Sequence, residues 1–264
     1  MTGGYPVAVR AAGSGDTVLL LHGIGGAAES FRPQLDGGLA GTYRLLAWDA
    51  PGYGDSPDPP PGTPPETVMD RLADAALAVL DGTPAHVVGV SWGGVVATRM
   101  ALRRPDLLRS LVLADSTRGS GRTPEGRAGM ARRVEELAEL GAGEFAARRA
   151  GRLVAPDAPA PVRARVEAIM AGVRPAGYAL AAASMAATDH SADLARIGVP
   201  TLVVVGEHDV VTGVEEARAL AAAIPGAGFA LVPGAGHAAN QEQPAEFDRI
   251  VGGFLAGVRT GVSR

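Results

Sequence analysis

The sequence predicts an α/β fold: a mostly parallel, doubly wound sheet with a helical segment inserted between two of its strands. Over most of the chain, short β-branched apolar runs alternate with helical patterns, which is typical of strands joined through helices on both faces of a sheet. Residues 117–196 interrupt this alternation with helical patterns alone. At 264 residues the chain is long enough to bury a sizeable core.

Seven segments are expected to form the sheet. Residues 5–11 precede a turn rich in Gly and Ser, and they predict an antiparallel edge strand. Six further runs are almost continuously apolar, as strands buried on both faces of a parallel sheet are. They are TVLLLHG, YRLLAWD, HVVGVS, SLVLADS, TLVVVGEHD and FALVPGAGH, which end at Gly23, Asp49, Ser91, Ser116, Asp209 and His237.

Helices are expected between these strands, with right-handed crossovers. The core helices are predicted over Pro64 to Leu80, Trp92 to Arg104, Val214 to Ile224, and Glu242 to Leu255. Residues 117–196 contain helical stretches with charged residues opposite apolar ones. We interpret them as a helical cap, or lid, domain on a core domain made of residues 1–116 and 197–264. Because the cap follows the carboxyl end of a strand, we expect it over the edge where open α/β sheets bind ligands.

Composition excludes several classes of function. A net charge of −4 is mild and disfavours nucleic acid or an anionic membrane as the main partner. Cysteine is absent, which excludes disulfides, thiolate catalysis and cysteine-ligated metals. The first residues lack the basic and apolar regions of a signal peptide, and no apolar run approaches the ~20 residues of a membrane helix. We therefore expect a soluble, cytoplasmic monomer or homodimer that acts on a small molecule.

The stretch GVSWGG predicts a nucleophilic serine. Ser91 ends a β-branched run, Trp92 opens a helical pattern, and Gly89 and Gly93 flank the serine at two residues' distance. This is the pattern of a nucleophile elbow, a sharp turn that holds the serine hydroxyl out at the top of a sheet. The glycines are needed because such a turn brings neighbouring backbone segments close together. The helix N-terminus then directs free N–H groups towards negative charge that develops beside Ser91.

A serine hydroxyl needs a base, and five histidines are available. His237 is the predicted base, because it lies in a loop after the last strand, at the same sheet edge as Ser91. His86 begins a strand at the opposite edge and is expected to be a surface residue. His190 lies in the insertion and His208 lies beside acidic residues, so both suit the role less well.

Two aspartates compete to be the acid that orients the base. Asp209 ends the TLVVVGEHD strand, and Asp115 ends the SLVLADS strand. Both satisfy the chain order serine, acid, histidine. Asp209 is preferred because GEHDVVT offers an exposed turn directed at the next loop, and Asp115 is kept as the alternative acid.

An oxyanion formed at Ser91 would require two preset N–H donors. The backbone of Trp92 is one candidate, because it directly follows the serine. The loop HGIGG should supply the other, with Ile24 as the first candidate and Gly25 as the second. His22 is expected to brace this loop through hydrogen bonds rather than to titrate.

Six motifs in order resemble those of the α/β-hydrolase superfamily over the whole chain: LLLHGIGG, LLAWDAPGYGDSP, VVGVSWGG, RSLVLADS, IGVPTLVVVGEHD and VPGAGHAANQEQPAEF. Within it the arrangement resembles the lactonase and esterase group that includes 3-oxoadipate enol-lactonases, and GVSWGG also resembles intracellular polyhydroxyalkanoate depolymerases. The resemblance implies Ser91 as nucleophile, His237 as base, Asp209 as acid, and Ile24 and Trp92 as oxyanion donors. HGIGGAAES lacks the proline of meta-cleavage C–C hydrolases, and DVVTGV lacks a proline often found after the acid.

The expected function is a cofactor-free, metal-free serine hydrolase that cleaves an ester or lactone of a small to medium organic molecule. The dehalogenase and epoxide hydrolase members that this chain resembles use aspartate where it has Ser91, which disfavours their chemistry. Three alternatives remain open. They are a C–C bond hydrolase of vinylogous diketones, a tailoring lyase or cyclase of secondary metabolism, and a ligand-binding member without turnover.

The cap is expected to close a largely apolar pocket that admits a compact or cyclic acyl group. All 24 basic residues of the chain are arginines, and those of the cap are expected to be solvated or paired with its glutamates. The apolar residues expected to pack the cap or line the pocket are Met130, Leu137, Phe145, Ile169, Met170, Tyr178 and Met185.

Overall fold

Seven strands form one sheet in the computed structural model, which describes residues 5–259 and, of Arg259, the backbone alone. They are β1 (Ala8–Ala12), β2 (Thr17–Leu21), β3 (Arg44–Asp49), β4 (Ala85–Val90), β5 (Leu108–Ala114), β6 (Thr201–Gly206) and β7 (Gly228–Val232). Their order in the sheet is β1-β3-β2-β4-β5-β6-β7. Strand β1 pairs antiparallel with β3, and every other pairing is parallel. All seven predicted strands are present, and the predicted edge strand lies at the edge.

Helices cover both faces of the sheet. They are α1 (Arg32–Leu35), α2 (Pro65–Val79), α3 (Trp92–Arg103), α4 (Pro124–Arg149), α5 (Ala160–Met170), α6 (Pro175–Ala187), α7 (Val214–Ala223), α8 (Ala239–Glu242) and α9 (Pro244–Arg259). The predicted C-terminal helix, Glu242 to Leu255, corresponds to α9, and the short helix α8 that precedes it was not predicted. Pro244 begins α9, because proline lacks the N–H that a continuous helix would require and suits a first helical position.

The two faces of the sheet bury two separate apolar cores. In β2, Leu19 and Leu21 pack into one core, and the alternating residues Val18 and Leu20 pack into the other. Successive side chains of a strand point to opposite faces. A strand covered on both sides therefore reads as a continuous apolar run, which is why the sequence pattern identified these strands.

Three helices, α4, α5 and α6, lie between β5 and β6 and contain most of residues 117–196. Gly141 interrupts α4 with a non-helical backbone at φ 72° and ψ 163°, between two helical stretches that the sequence pattern separates. Helix α4 packs against α6, and α6 packs against α2 of the core. No helix within residues 5–259 has the length and apolar character needed to cross a bilayer.

Salt bridges and hydrogen bonds join the start of this insertion to Glu216 of α7. Glu216 of α7 accepts hydrogen bonds from the Arg118 Nη2 at 2.7 Å, the Arg118 Nε at 3.0 Å and the Thr117 hydroxyl at 3.0 Å, and Arg122 lies 3.1 Å away. Burial raises the pKa of the Glu216 carboxyl, but its bonds with Arg118 and Thr117 outweigh burial and lower the pKa from 4.5 to about 2.

Replacing this carboxylate is expected to remove a pH-dependent part of the stability. The folded-state pKa of Glu216 is depressed, so its contribution is present above pH 4.5 and is lost as the pH falls towards 2. We expect Glu216→Gln to lower the free energy of unfolding by roughly 1–2 kcal/mol at pH 7 after solvent screening, and by less than half as much at pH 3. Urea denaturation at both pH values measures this. Glu215→Gln, at an exposed neighbour, is the control, and a deficit independent of pH would contradict the expectation.

Candidate active site

Ser91 lies on a sharp turn between β4 and α3. Its backbone adopts φ 53° and ψ −116°, a region that residues other than glycine rarely occupy. A Cβ atom on Gly93 would lie 2.1 Å from the Leu21 carbonyl oxygen, and one on Gly89 would lie 2.4 Å from the Gly93 carbonyl oxygen. The two glycines are therefore required by close backbone approach, as the motif predicted.

Ser91→Gly is expected to be more stable than Ser91→Ala, because glycine adopts a positive φ without the steric cost that alanine retains. We expect the free energy of unfolding to differ by about 1 kcal/mol. Urea denaturation of the two variants, neither of which has the hydroxyl, measures the relief of strain less the greater unfolded-state entropy of glycine. Equal transition midpoints would contradict the expectation.

The side chains of Ser91, His237 and Asp209 form a continuous hydrogen-bonded chain. The Ser91 Oγ lies 3.0 Å from the His237 Nε2, and the His237 Nδ1 lies 3.0 Å from the Asp209 Oδ2. Each residue follows a parallel strand: Ser91 follows β4, Asp209 lies after β6 and His237 lies after β7. Parallel strands present their carboxyl ends at one edge of a sheet, so three segments distant in sequence meet there.

Asp209 is ionised in this arrangement. Burial raises the pKa of its carboxyl, but the hydrogen bond and charge of His237, with the bonds from Thr212 and Val211, outweigh burial and lower the pKa to about 2. A carboxylate accepts a hydrogen bond from the Nδ1–H of His237. The Nε2 atom of the same ring is then left unprotonated and can accept the proton of the Ser91 hydroxyl.

Asp115, the alternative acid, lies elsewhere at the same edge. Its Oδ1 accepts a hydrogen bond from the Gly206 amide at 2.8 Å, and its side chain is fully buried. Burial raises the pKa of the Asp115 carboxyl well above its ordinary value, and the nearby charge of Asp209 raises it further. The geometry therefore puts Asp209, and not Asp115, against His237.

A buried glutamate that sequence reasoning missed holds the loop of His237. Glu242 accepts hydrogen bonds from the Gly236 amide at 2.8 Å and from the Ala155 amide at 2.7 Å. The Ala238 amide also donates to the Leu153 carbonyl oxygen at 2.8 Å. Both links attach the histidine loop to the insertion. The only sequence signal is an acidic residue five positions after His237.

The amides expected to bind an oxyanion are available. The N–H groups of Trp92 and Ile24 donate to no acceptor within the part of the chain that the structure describes, and both residues line space beside Ser91. The Ile24 carbonyl oxygen accepts a hydrogen bond from the Tyr53 hydroxyl at 2.9 Å, which fixes the loop. The Gly25 amide is equally unpaired among these residues, so it stays the second candidate.

His22 supports the HGIGG loop through hydrogen bonds of its ring. The Ala50 amide donates to its Nε2 at 3.0 Å, so the Nδ1 carries the proton and donates to the Gly23 carbonyl oxygen at 2.8 Å. Burial lowers the pKa of His22 to about 4, and the ring is neutral at neutral pH, in agreement with the expected bracing role. The expectation for His86 was wrong: it is fully buried and bonds to the Ser110 hydroxyl at 2.7 Å.

Two cavities meet at Ser91. The first has a volume of about 130 Å³, contains His237 in its wall, and is bounded on the insertion side by Ile169, Met170 and Tyr178. The second, of about 250 Å³, is lined by Trp92, Met130 and Met185 among others. Leu137 and Phe145 of the predicted apolar set pack in the core instead.

The pocket was expected to be largely apolar, but the wall of the first cavity contains charged residues. Arg133, Arg149 and Arg152 line it, so it is not largely apolar. Met170 approaches the HGIGG loop so closely that a Cβ on Gly25 would lie 2.5 Å from the Met170 Cε. The insertion therefore contacts this loop and shares a cavity with Ser91. Within residues 5–259 no group of three or more His, Cys, Asp or Glu side chains could hold a metal ion.

Comparison with known proteins gives consistent matches. The model of the alpha/beta hydrolase family matches residues 18–250. RutD of Pseudomonas syringae pv. syringae (strain B728a), named for carbamate hydrolysis, is 30% identical over 248 residues, covering 91% of this chain and 93% of that protein. A thermophilic esterase from Thermogutta terrifontis, solved with malate bound, is 29% identical with a TM-score of 0.87, covering 96% of this chain and 93% of that one. The enol-lactonase from Burkholderia xenovorans LB400 has the same fold, at 24% identity and a TM-score of 0.84, covering 95% of this chain and 96% of that one.

Proposed function

Because the chain belongs to the α/β-hydrolase family, we propose that it is a serine hydrolase that cleaves a carboxylic ester or lactone of a small to medium organic molecule. The observation that carries the proposal is the chain of 3.0 Å contacts from Ser91 through His237 to Asp209. This is the arrangement of nucleophile, base and orienting acid that activates a serine.

In the proposed mechanism Ser91 attacks the scissile carbonyl carbon while the Nε2 of His237 takes the hydroxyl proton. The carbonyl oxygen becomes an oxyanion, which the amides of Trp92 and Ile24 stabilise. When the tetrahedral intermediate collapses, His237 returns the proton to the leaving alcohol oxygen and an acyl-enzyme remains. Water then attacks the acyl carbon with His237 again as base, which releases the acid and restores Ser91. Asp209 stabilises the imidazolium in both halves.

We assign residues 117–196 the role of a cap domain, with residues 1–116 and 197–264 as the core domain. The position of Met170 against Gly25, and the cavity walls built from α5 and α6, support this division. A cap excludes water and so strengthens the electrostatic interactions beside Ser91. A small-molecule substrate is the only partner that this chemistry requires, and we propose that the protein acts in the cytoplasm as a monomer or homodimer.

The scissile bond could also be that of a carbamate. RutD is named for carbamate hydrolysis, and a carbamate carbonyl can be attacked by the same serine and stabilised by the same amides. The esterase at 29% identity supports an ester and RutD at 30% identity supports a carbamate to a similar degree, so the choice between the two substrates needs a measurement. The two cases differ in the substrate and not in the residues that act on it.

A substrate panel tests the proposal. It contains p-nitrophenyl esters of increasing acyl length, several lactones, an aryl carbamate and a dienoic diketone. We expect turnover of short esters or lactones, and no turnover of the same compounds by Ser91→Ala. Cleavage of the diketone alone would instead identify a C–C hydrolase. Rates that climb steadily with acyl length and jump at an emulsion interface would contradict a closed cap over a compact pocket.

A further inference from the structure

Three guanidinium groups line the cavity beside Ser91. Arg133 lies within α4, Arg149 ends that helix, and Arg152 follows it in a short turn. Within the described part of the chain no aspartate or glutamate lines the same cavity, although the whole chain carries a net charge of −4. The excess of positive charge is therefore local to this cavity.

Two of these charges have no acidic partner. Arg149 forms a salt bridge with Glu136 at 3.0 Å, and its guanidinium lies 5.3 Å from the centre of the Phe145 ring. Arg133 and Arg152 form no salt bridge with any acid among residues 5–259. Elsewhere in the insertion, by contrast, Arg148 pairs with Glu144 at 2.9 Å.

Arg133 is the more constrained of the two unpaired arginines. It is half-buried and interacts with the hydroxyl of Tyr178, another residue of the cavity wall. Burial lowers the pKa of the Arg133 guanidinium, and the charges of Arg149 and Arg152 lower it further while Tyr178 opposes them. A cationic group that is partly desolvated among like charges gains stability when an anion binds.

We propose that the substrate carries a carboxylate, which Arg133 and Arg152 bind while Ser91 attacks the scissile carbonyl; this inference rests on the proposed hydrolase function. A guanidinium presents its N–H groups in a planar fork that matches a carboxylate, and so fixes the orientation of the ligand as well as its charge. The apolar wall of Ile169 and Met170 then accommodates the carbon chain between the carboxylate and the scissile bond. The pair of arginines selects an anionic substrate over a neutral one of the same length.

Matched pairs of substrates test the inference. On the acyl side, p-nitrophenyl hemisuccinate is compared with p-nitrophenyl butyrate, and the hemiglutarate with the valerate. On the alcohol side, O-butyrylglycolate is compared with ethyl butyrate in a pH-stat. We expect the wild-type protein to have the higher kcat/KM for the carboxylate member of at least one series. The series in which it does so identifies the side of the scissile bond that carries the anion.

Arginine variants then locate the site. We expect Arg133→Gln and Arg152→Gln each to lower the ratio of kcat/KM for the carboxylate substrate to that for its neutral partner by about 10- to 100-fold. Arg133→Lys should keep a larger part of the preference than Arg133→Gln, because it keeps the charge and loses the fork. Arg148→Gln, whose arginine lines neither cavity, is the control and should leave the ratio unchanged. Thermal unfolding of each variant shows whether it is folded.

A binding measurement separates this inference from the proposed function. Ser91→Ala protein is titrated with glutarate and with the neutral isostere glutaramide by calorimetry. If Ser91→Ala protein binds glutarate more tightly than glutaramide, and adding Arg133→Gln removes this difference in affinity, the anion site is supported even if no ester is hydrolysed. Equal binding of the two ligands, or a wild-type preference for the neutral ester in both series, overturns it and leaves a serine hydrolase without anion selectivity.

Discussion

Ser91→Ala is expected to abolish turnover while leaving the fold intact, with a fall in kcat of about 10⁴- to 10⁶-fold. In the proposed mechanism the Ser91 Oγ is the atom that attacks the carbonyl, and neither His237 nor Asp209 can replace it, because both act through it. Alanine keeps the Cβ and the backbone of the turn, so circular dichroism and the unfolding transition should change little. Activity on the most rapidly hydrolysed ester of the panel measures the effect.

Covalent labelling tests whether Ser91 itself is the nucleophile. A fluorophosphonate should modify wild-type protein at Ser91 and should not modify Ser91→Ala. Ser116→Ala is a matched control, because the Ser116 hydroxyl donates to the Ser91 carbonyl oxygen at 2.8 Å. It supports the turn without being the nucleophile, and this variant should still be labelled. Labelling at a residue other than Ser91 would refute the assignment.

Asp209→Asn is expected to lower kcat by about 10⁴-fold. An asparagine in this position offers an N–H group as well as an oxygen, and it no longer stabilises a positive charge on His237. The imidazole can then adopt the tautomer that carries its proton on Nε2, which cannot accept the proton of Ser91. The loss should appear in kcat more than in KM, because the interaction is made in the transition state.

Asp115→Asn provides the comparison for Asp209. Its carboxyl is buried and bonds to the Gly206 amide, and burial raises its pKa well above the ordinary value. Asparagine has the same shape, is uncharged, and tolerates the positive φ of 47° at this position. We expect a far smaller loss of kcat than for Asp209→Asn. A larger loss of kcat for Asp115→Asn than for Asp209→Asn would instead identify Asp115, which follows β5, as the orienting acid.

Burial explains why the strands were predicted correctly and why the position of His86 was not. Strands covered on two faces read as nearly continuous apolar runs, and this pattern located the six parallel strands β2 to β7. The same rule could not place His86, the second residue of β4, which resembles a residue at an exposed strand end. Its surroundings depend on contacts with Ser110 of β5 and with the Tyr43 ring, 6.1 Å away between ring centres. Neither neighbour is close to it in sequence.

The sequence by itself determined the elements of this protein and the candidates for its chemistry. Local backbone requirements determined the turn at Ser91, because only glycine fits at Gly89 and Gly93. Chain order and strand ends determined that His237 and two aspartates share one edge of the sheet. Only the tertiary structure places one of them, Asp209, within hydrogen-bond distance of His237, because β6 and not β5 lies beside β7. It also decided which arginines line the cavity. Every basic residue is an arginine, yet Arg133 and Arg152 line the cavity and form no salt bridge among residues 5–259, while Arg148 lies outside the cavity and pairs with Glu144.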